Sequence, residues 1–269
     1  MAGRPGRAAR ATARFPRPAR RGVGGEQVEG RQAVRELLVA GRRRVREVIL
    51  ATDCEPAPIL AEIEDEAGRR RVPVRRVSRG RLEAMAATDA PQGVIARADP
   101  LPEADLDALA RRHPGGPAPF LIVLDGITDP RNLGAVLRVA VCAGATGAVL
   151  PRHRAAHVTP AVTKAAAGAV EHLPIAVVPG VPGALAHLRD LGVWTVGLDA
   201  GASRSLFELA VGTEPVALVL GAEDRGLSRL ARARCDELVA IPLLGPLGSL
   251  NVATAAAVAC YAVARARLG

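Results

Sequence analysis

The sequence predicts an α/β protein: a parallel sheet covered on both faces in the C-terminal part, with a smaller α/β unit ahead of it. Three observations point there. From residue 120 onward short, wholly apolar runs alternate with helical stretches, the pattern of strands buried on both faces. A stretch rich in proline and glycine (Pro100, Pro102, Pro114, Gly115, Gly116, Pro117) divides that region from an earlier series of alternating elements. The 269 residues suffice for one large domain or two modest ones, with a real core.

From the N-terminus, residues 1–25 hold seven arginines, no acidic residue and no apolar periodicity, and are expected to be a disordered basic tail. Residues 29–40 read as a helix that Gly41 ends, with Val34, Leu37 and Leu38 on one stripe. Strands are expected over 45–50, 72–77 and 93–98, and helices over 59–67, ended by Gly68, and 81–86. Residues 26–98 thus make the small domain. Its arginine triplets, 42–44 and 69–71, fall at element junctions, where exposure is expected. Residues 99–118 read as a linker with one short helix around 105–111. Residues 119–269 make the larger domain. Its strands are expected over 120–125, 147–150, 175–178, 193–198, 216–220 and 238–241, and a helix over 250–267 closes the chain.

The net charge of +9 is unevenly spread: +7 in residues 1–25, +2 in 26–98 and 0 in 99–269. A basic tail suits contact with nucleic-acid phosphates. It is also what a solvated tail looks like in a chain that favours arginine, Lys164 being its one lysine. No run of 18 uncharged apolar residues occurs, so no membrane helix is expected. The basic start lacks the apolar core of a secretory signal, although it shares the composition of an organelle transit peptide; a cytoplasmic protein is expected. Cys54, Cys142, Cys235 and Cys260 lie far apart without a C-x-x-C pair and read as buried, reduced thiols. His153 and His157, four apart, could share a helix face, but no nearby cysteine or carboxylate completes a metal shell.

Parallel sheets take ligands beyond the carboxyl ends of their strands, and three post-strand loops hold the candidate residues. The first, residues 125–134, runs into a helix that contains Arg138. Asn132 is placed to cap that helix, and Leu133, Val136, Leu137, Ala140 and Val141 form its buried stripe. Arg131 and Arg138, seven apart, share the side away from the stripe. In the second loop, residues 221–228, two glycines let the backbone approach a ligand and Glu223 stands at the end of a strand. The third, residues 241–252, is a glycine- and proline-rich turn with Ser249 and Asn251 flanking the start of the last helix. No G-x-G-x-x-G or Walker sequence is present, so a dinucleotide or nucleoside-triphosphate site has no motif to rest on.

Asp129-Pro130-Arg131-Asn132-Leu133-Gly134 with Arg138 makes a first signature, and Leu220-Gly221-Ala222-Glu223 with Gly226-Leu227 a second. Ile241-Pro242 through Ser249-Leu250-Asn251-Val252 makes a third. With all three in order, residues 121–268 resemble the catalytic domain of the SpoU (TrmH-like) branch of the SPOUT RNA methyltransferases. Residues 26–98 resemble that family's ribosomal-protein-like substrate-binding domain through Glu29-Gly30 and Gln92-Gly93-Val94-Ile95-Ala96. The layout is similar to the bacterial enzymes that methylate a guanosine of 23S rRNA. Two positions depart from many relatives: Pro91 stands where they have His, and Ala253 where they have Ser.

The resemblance implies a deep trefoil knot in the C-terminal domain, a homodimer, and S-adenosylmethionine held in a bent form without a metal. Backbone groups at Gly221, Ile241 and Leu250 would contact the cofactor. The implied reaction is attack of an RNA ribose 2′-hydroxyl on the sulfonium methyl, so the site must align the reactants and help remove a proton. Arg138 is assigned to the phosphate and the target hydroxyl; Asn132, Glu223, Ser249 and Asn251 are assigned to orienting the hydroxyl and ribose. A guanidinium with a pKa above about 12 suits stabilisation of a developing alkoxide better than service as a base. The alternative readings are a relative that acts on tRNA or another rRNA nucleotide, and an RNA-binding protein that has lost the chemistry.

Overall fold

In the computed structural model, which describes residues 22–153, 155–210 and 214–268, the chain builds two sheets. The first contains β1 (Gln27–Glu29), β2 (Val45–Ala51), β3 (Val74–Val77) and β4 (Val94–Ala98) in the order β1-β4-β2-β3. Helices α1 (Arg31–Ala40) and α2 (Pro58–Arg69) cover one face through Val34, Leu37, Leu38 and Ile63; α3 (Arg79–Met85) covers the other through Leu82. Glu29 belongs to β1, not to the helix expected over 29–40, because Gln27–Glu29 pairs antiparallel with β4. Gly68 does not end α2: Arg69 and Arg70 continue the turn, and both donate to the Glu66 carboxylate.

The tail expected over 1–25 lies outside the described residues as far as residue 21, and its last residues are packed. Val23 is buried, and its N–H donates to the Leu101 carbonyl at 2.8 Å. The proline-rich stretch is held against the second sheet. The Ala104 N–H donates to the Ile175 carbonyl at 2.7 Å, and α4 (Leu106–Ala110), capped by Asp105, buries Leu106 and Ala110.

The second sheet contains β5 (Phe120–Asp125), β6 (Gly147–Pro151), β7 (Ile175–Val178), β8 (Trp194–Leu198), β9 (Val216–Gly221) and β10 (Glu237–Val239). All its pairings are parallel, in the order β10-β8-β9-β5-β6-β7. Both faces are buried, as wholly apolar strands require. Phe120, Ile122 and Leu124 pack with α5 (Pro130–Cys142), α6 (Pro160–Ala165) and α9 (Val252–Leu268). Leu121 and Val123 pack with α4, α7 (Val181–Asp190) and α8 (Arg229–Arg234). The chain steps outward from β5 through β6 and β7, then returns on the other side so that β9 lies beside β5. The loops after β5 and β9 therefore meet at the point where the strand order reverses, the usual ligand position of an open α/β sheet.

Gly134 lets α5 and α6 approach closely: a Cβ there would lie 2.6 Å from the Ala165 Cβ and 2.7 Å from the Val162 carbonyl oxygen. The two sheets are joined by a buried ion pair. Arg43 was expected to be exposed; its side chain is 2% exposed and meets Glu171, 1% exposed, at Nη2–Oε1 2.6 Å and Nε–Oε2 3.0 Å. Its Nη1 donates to the Gly25 and Asp99 carbonyls at 2.6 Å each, so every guanidinium nitrogen has an acceptor. That saturation is what makes a buried charge pair tolerable. His172 against Glu36 at 2.7 Å and Lys164 against Thr88 at 3.4 Å complete the join.

His153 and His157 do not share a helix face, since both lie in the irregular segment between β6 and α6. Of the thiols expected to be buried, Cys260 is buried, Cys54 and Cys235 are half-buried, and Cys142 is exposed. Among the described residues no helix is long and apolar enough to cross a membrane, and no group of three or more His, Cys, Asp or Glu side chains is placed to hold a metal ion.

Candidate active site

The first loop enters α5 with Pro130 in the first turn and Asp129 as cap, its carboxylate accepting the Arg131 N–H at 2.9 Å. The cap is therefore not Asn132, as the sequence suggested, and the Asn132 side chain is left to bond elsewhere. At the other end of the domain Asn251 caps α9. Its Oδ1 accepts the Ala253 N–H and its carbonyl the Ala255 N–H, both at 2.9 Å. Its amide nitrogen donates to Asn132 Oδ1 at 3.1 Å and to Glu223 Oε1. Because a carboxylate can only accept, these partners fix the orientation of the Asn251 amide. One side chain joins the three loops.

The second loop turns back on itself: Ala222 and Gly226 exchange backbone hydrogen bonds of 3.1 and 2.8 Å. A Cβ on Gly221 would lie 2.1 Å from the Gly226 carbonyl carbon. The loop's own return thus requires this glycine, whose backbone also lines the neighbouring cavity. Asp125 holds the far side of the turn by accepting the Ser228 N–H at 2.7 Å.

Beside this junction a cavity opens over the carboxyl ends of β8, β9 and β10. Gly221, Glu223, Ile241, Ser249 and Leu250 line it, together with the apolar side chains of Leu198, Leu220, Leu243 and Val252. Residues 241–250 form no backbone–backbone hydrogen bond among the described residues, so their peptide groups are available to a ligand. Asp199 and Ala200, just after β8, supply a further wall. The sequence signal for this fourth loop is an apolar strand followed by Asp199-Ala200-Gly201, which lacks the capping or paired-glycine pattern of the other three.

Arg138 is not drawn into the cluster. It lies six residues beyond Asn132, about 9 Å further along the axis of α5, exposed, and has no hydrogen bond or ion pair among the described residues. No activated thiol is found near the turn: burial, with help from Asp236 and Asp125, pushes the Cys235 thiol up to about 12.

Residues 119–261 match the model of the SpoU rRNA Methylase family, and residues 27–104 match that of RNA 2′-O ribose methyltransferase substrate binding. These matches, together with the fold, define an RNA 2′-O-ribose methyltransferase of the α/β class. The chain belongs to the SpoU rRNA methylase family, as its three loop signatures suggested. It is 38% identical over 213 residues to the 23S rRNA (guanosine-2′-O-)-methyltransferase RlmB of Photobacterium profundum, covering 78% of this chain and 84% of that one. It is also 38% identical over 261 residues to an uncharacterized tRNA/rRNA methyltransferase of Mycobacterium ulcerans, covering 97% of this chain and 84% of the relative. A solved structure of the SpoU methyltransferase AviRb from Streptomyces viridochromogenes, in complex with the cofactor AdoMet, is similar with a TM-score of 0.74 at 27% identity, over 90% of each chain.

Proposed function

We propose that this protein transfers a methyl group from S-adenosylmethionine to the ribose 2′-hydroxyl of a guanosine in 23S rRNA. One observation carries the reading: Asn251 caps the last helix while bonding Asn132 and Glu223, so that three post-strand loops meet beside one cavity. The residues present fit the cofactor. Leu198, Leu220, Ile241 and Leu250 suit the face of an adenine, the unpaired peptide groups of 241–250 its polar edge, and Asp199 a ribose hydroxyl. When bound, S-adenosylmethionine supplies an electrophilic methyl and departs as a neutral thioether. What remains for the protein is to align the hydroxyl and to disperse the charge that develops on it. In this reading Asn132, Glu223, Ser249 and Asn251 orient the target ribose, while backbone groups at Gly221, Ile241 and Leu250 hold the cofactor. The unpaired guanidinium of Arg138 takes the substrate phosphate and stabilises the negative charge that builds on the 2′-oxygen as the hydroxyl proton passes to water.

The reading includes a trefoil knot and a homodimer in the cytoplasm, with the small domain recruiting RNA as a ribosomal-protein-like module. The knot is supported by the chain's path. From β10 at the sheet edge, residues 241–251 cross back to α9, which packs beside α5, and Arg267 near its end donates to the carbonyls of Ala118, Pro119 and Glu214. The dimer is supported by Leu244 and Leu247, 99% and 77% exposed on the third loop, and by exposed Tyr261 on α9, apolar surface that a second copy would cover.

The test is transfer of labelled methyl to purified RNA, joined to mapping of ribose methylation in cells lacking the protein. Label on one guanosine of 23S rRNA, missing from those cells, is the expected result. Label on tRNA instead would favour the alternative substrate, and no transfer to any RNA would overturn the proposal.

A further inference from the structure

A second cleft, of about 780 Å³, opens on the other side of the turn at residues 222–226, over the carboxyl ends of β5, β6 and β7. Gly226 lines this cleft and the cofactor cavity alike, so the turn that carries Glu223 is the wall between them. Pro151, Pro179 and Pro182 give it a rigid apolar lining, and Arg225, Arg229 and His153 bring it positive or protonatable groups.

Those arginines are not neutralised among the described residues. Arg225 reaches Asp224 only at 3.8 Å, with both side chains largely exposed, a geometry worth little in water. Arg229 has no ion pair or hydrogen bond among the described residues. Asp125, the one carboxylate in the lining, is engaged by the Ser228 N–H at 2.7 Å. The cleft also lies on the side of α7 and α8, away from α9, so a dimer formed through α9 would leave it open.

We propose that this cleft binds the RNA strand adjoining the methylated ribose. Arg225 and Arg229 neutralise its phosphates, and the prolines with His153 pack against an unstacked base. The inference rests on the RNA substrate proposed for the neighbouring cavity and adds the element that positions the flanking nucleotide. The arginines are positioning residues and take no part in methyl transfer.

The experiment compares the full chain with Arg225→Gln/Arg229→Gln and with Arg229→Gln alone. Three quantities are read: rRNA binding across a salt series, methyl-transfer kinetics, and S-adenosylmethionine affinity. Each lost phosphate contact to single-stranded RNA lowers the slope of log K against log[salt] by about 0.7. The double variant should therefore lose about 1.4 of slope and raise KM for RNA at least about tenfold, with kcat and cofactor affinity within about twofold. Arg229→Gln should lose about half that slope, and Arg229→Lys should restore it. Unchanged slope and KM would overturn the proposal. So would loss of cofactor binding in both Gln variants, since the arginines would then be holding the turn. A slope that depends on the arginines in a protein that transfers no methyl would support the cleft and count against the catalytic reading alone.

Discussion

The Asn251 side chain accepts from the first turn of α9 and donates to two other loops. Its Oδ1 is taken by the Ala253 N–H and its amide by Asn132 and Glu223. An alanine there would remove a cap and leave two acceptors unpaired. Arg138 has no such partner among the described residues, which is the condition of a cation kept for a ligand. Arg138→Ala should reduce methyl transfer by about 10²-fold or more, the typical loss for a group stabilising transition-state charge. Calorimetric affinity for S-adenosylmethionine should stay unchanged; loss of that affinity would assign Arg138 to the cavity instead. The cysteines separate as cleanly. Burial pushes the Cys260 thiol up to about 12, as it does that of Cys235, whereas Cys142 is exposed. Since the thiolate is the nucleophile, iodoacetamide at about pH 8 should label Cys142 in the folded protein and reach Cys235 and Cys260 only after unfolding. Peptide mass spectrometry reads the order, and early labelling of Cys260 would contradict its burial.

Among the elements, α5 carries Asn132 and Arg138 and is seated by its glycine. Gly134→Ala would gain about 1 kcal/mol of helix propensity. The added methyl, however, would lie 2.6–2.7 Å from Ala165 and Val162. Overpacking of that kind costs about 1–3 kcal/mol, so the urea midpoint should fall with an unchanged m-value. A raised midpoint would mean that α6 yields freely. Legibility also varied by element. The strands Phe120–Asp125 and Ile175–Val178 were readable to the residue because sheet burial on both faces leaves an unbroken apolar run. Gln27–Glu29 was not, since three residues at a sheet edge carry no period. The cap of α5 was misassigned although Pro130 after Asp129 marks it, because Asn132 is an equally good acceptor by residue type.

For the molecule as a whole, the Arg43–Glu171 pair is the buried ionic contact between the parts that carry the two sheets. Arg43→Met or Glu171→Leu alone should cost about 3–5 kcal/mol, because each leaves a buried charge unpaired, while the double variant should lie closer to the parent. Chemical denaturation tests the order; singles within about 1 kcal/mol of the parent would show that water reaches the pair. By itself the sequence determined the alternation of strands and helices, the three loops and the chemical class, since each is written in residues close together along the chain. Only the tertiary structure decided that β9 lies beside β5, that Asp199 joins the cavity, and that Gly221 serves its own loop. It alone put Asn251 on Asn132, 119 residues away, and Arg43 on Glu171, 128 residues away. Periodicity and propensity act within a few turns of chain, whereas these contacts depend on the order in which strands enter a sheet, and no local signal encodes that order.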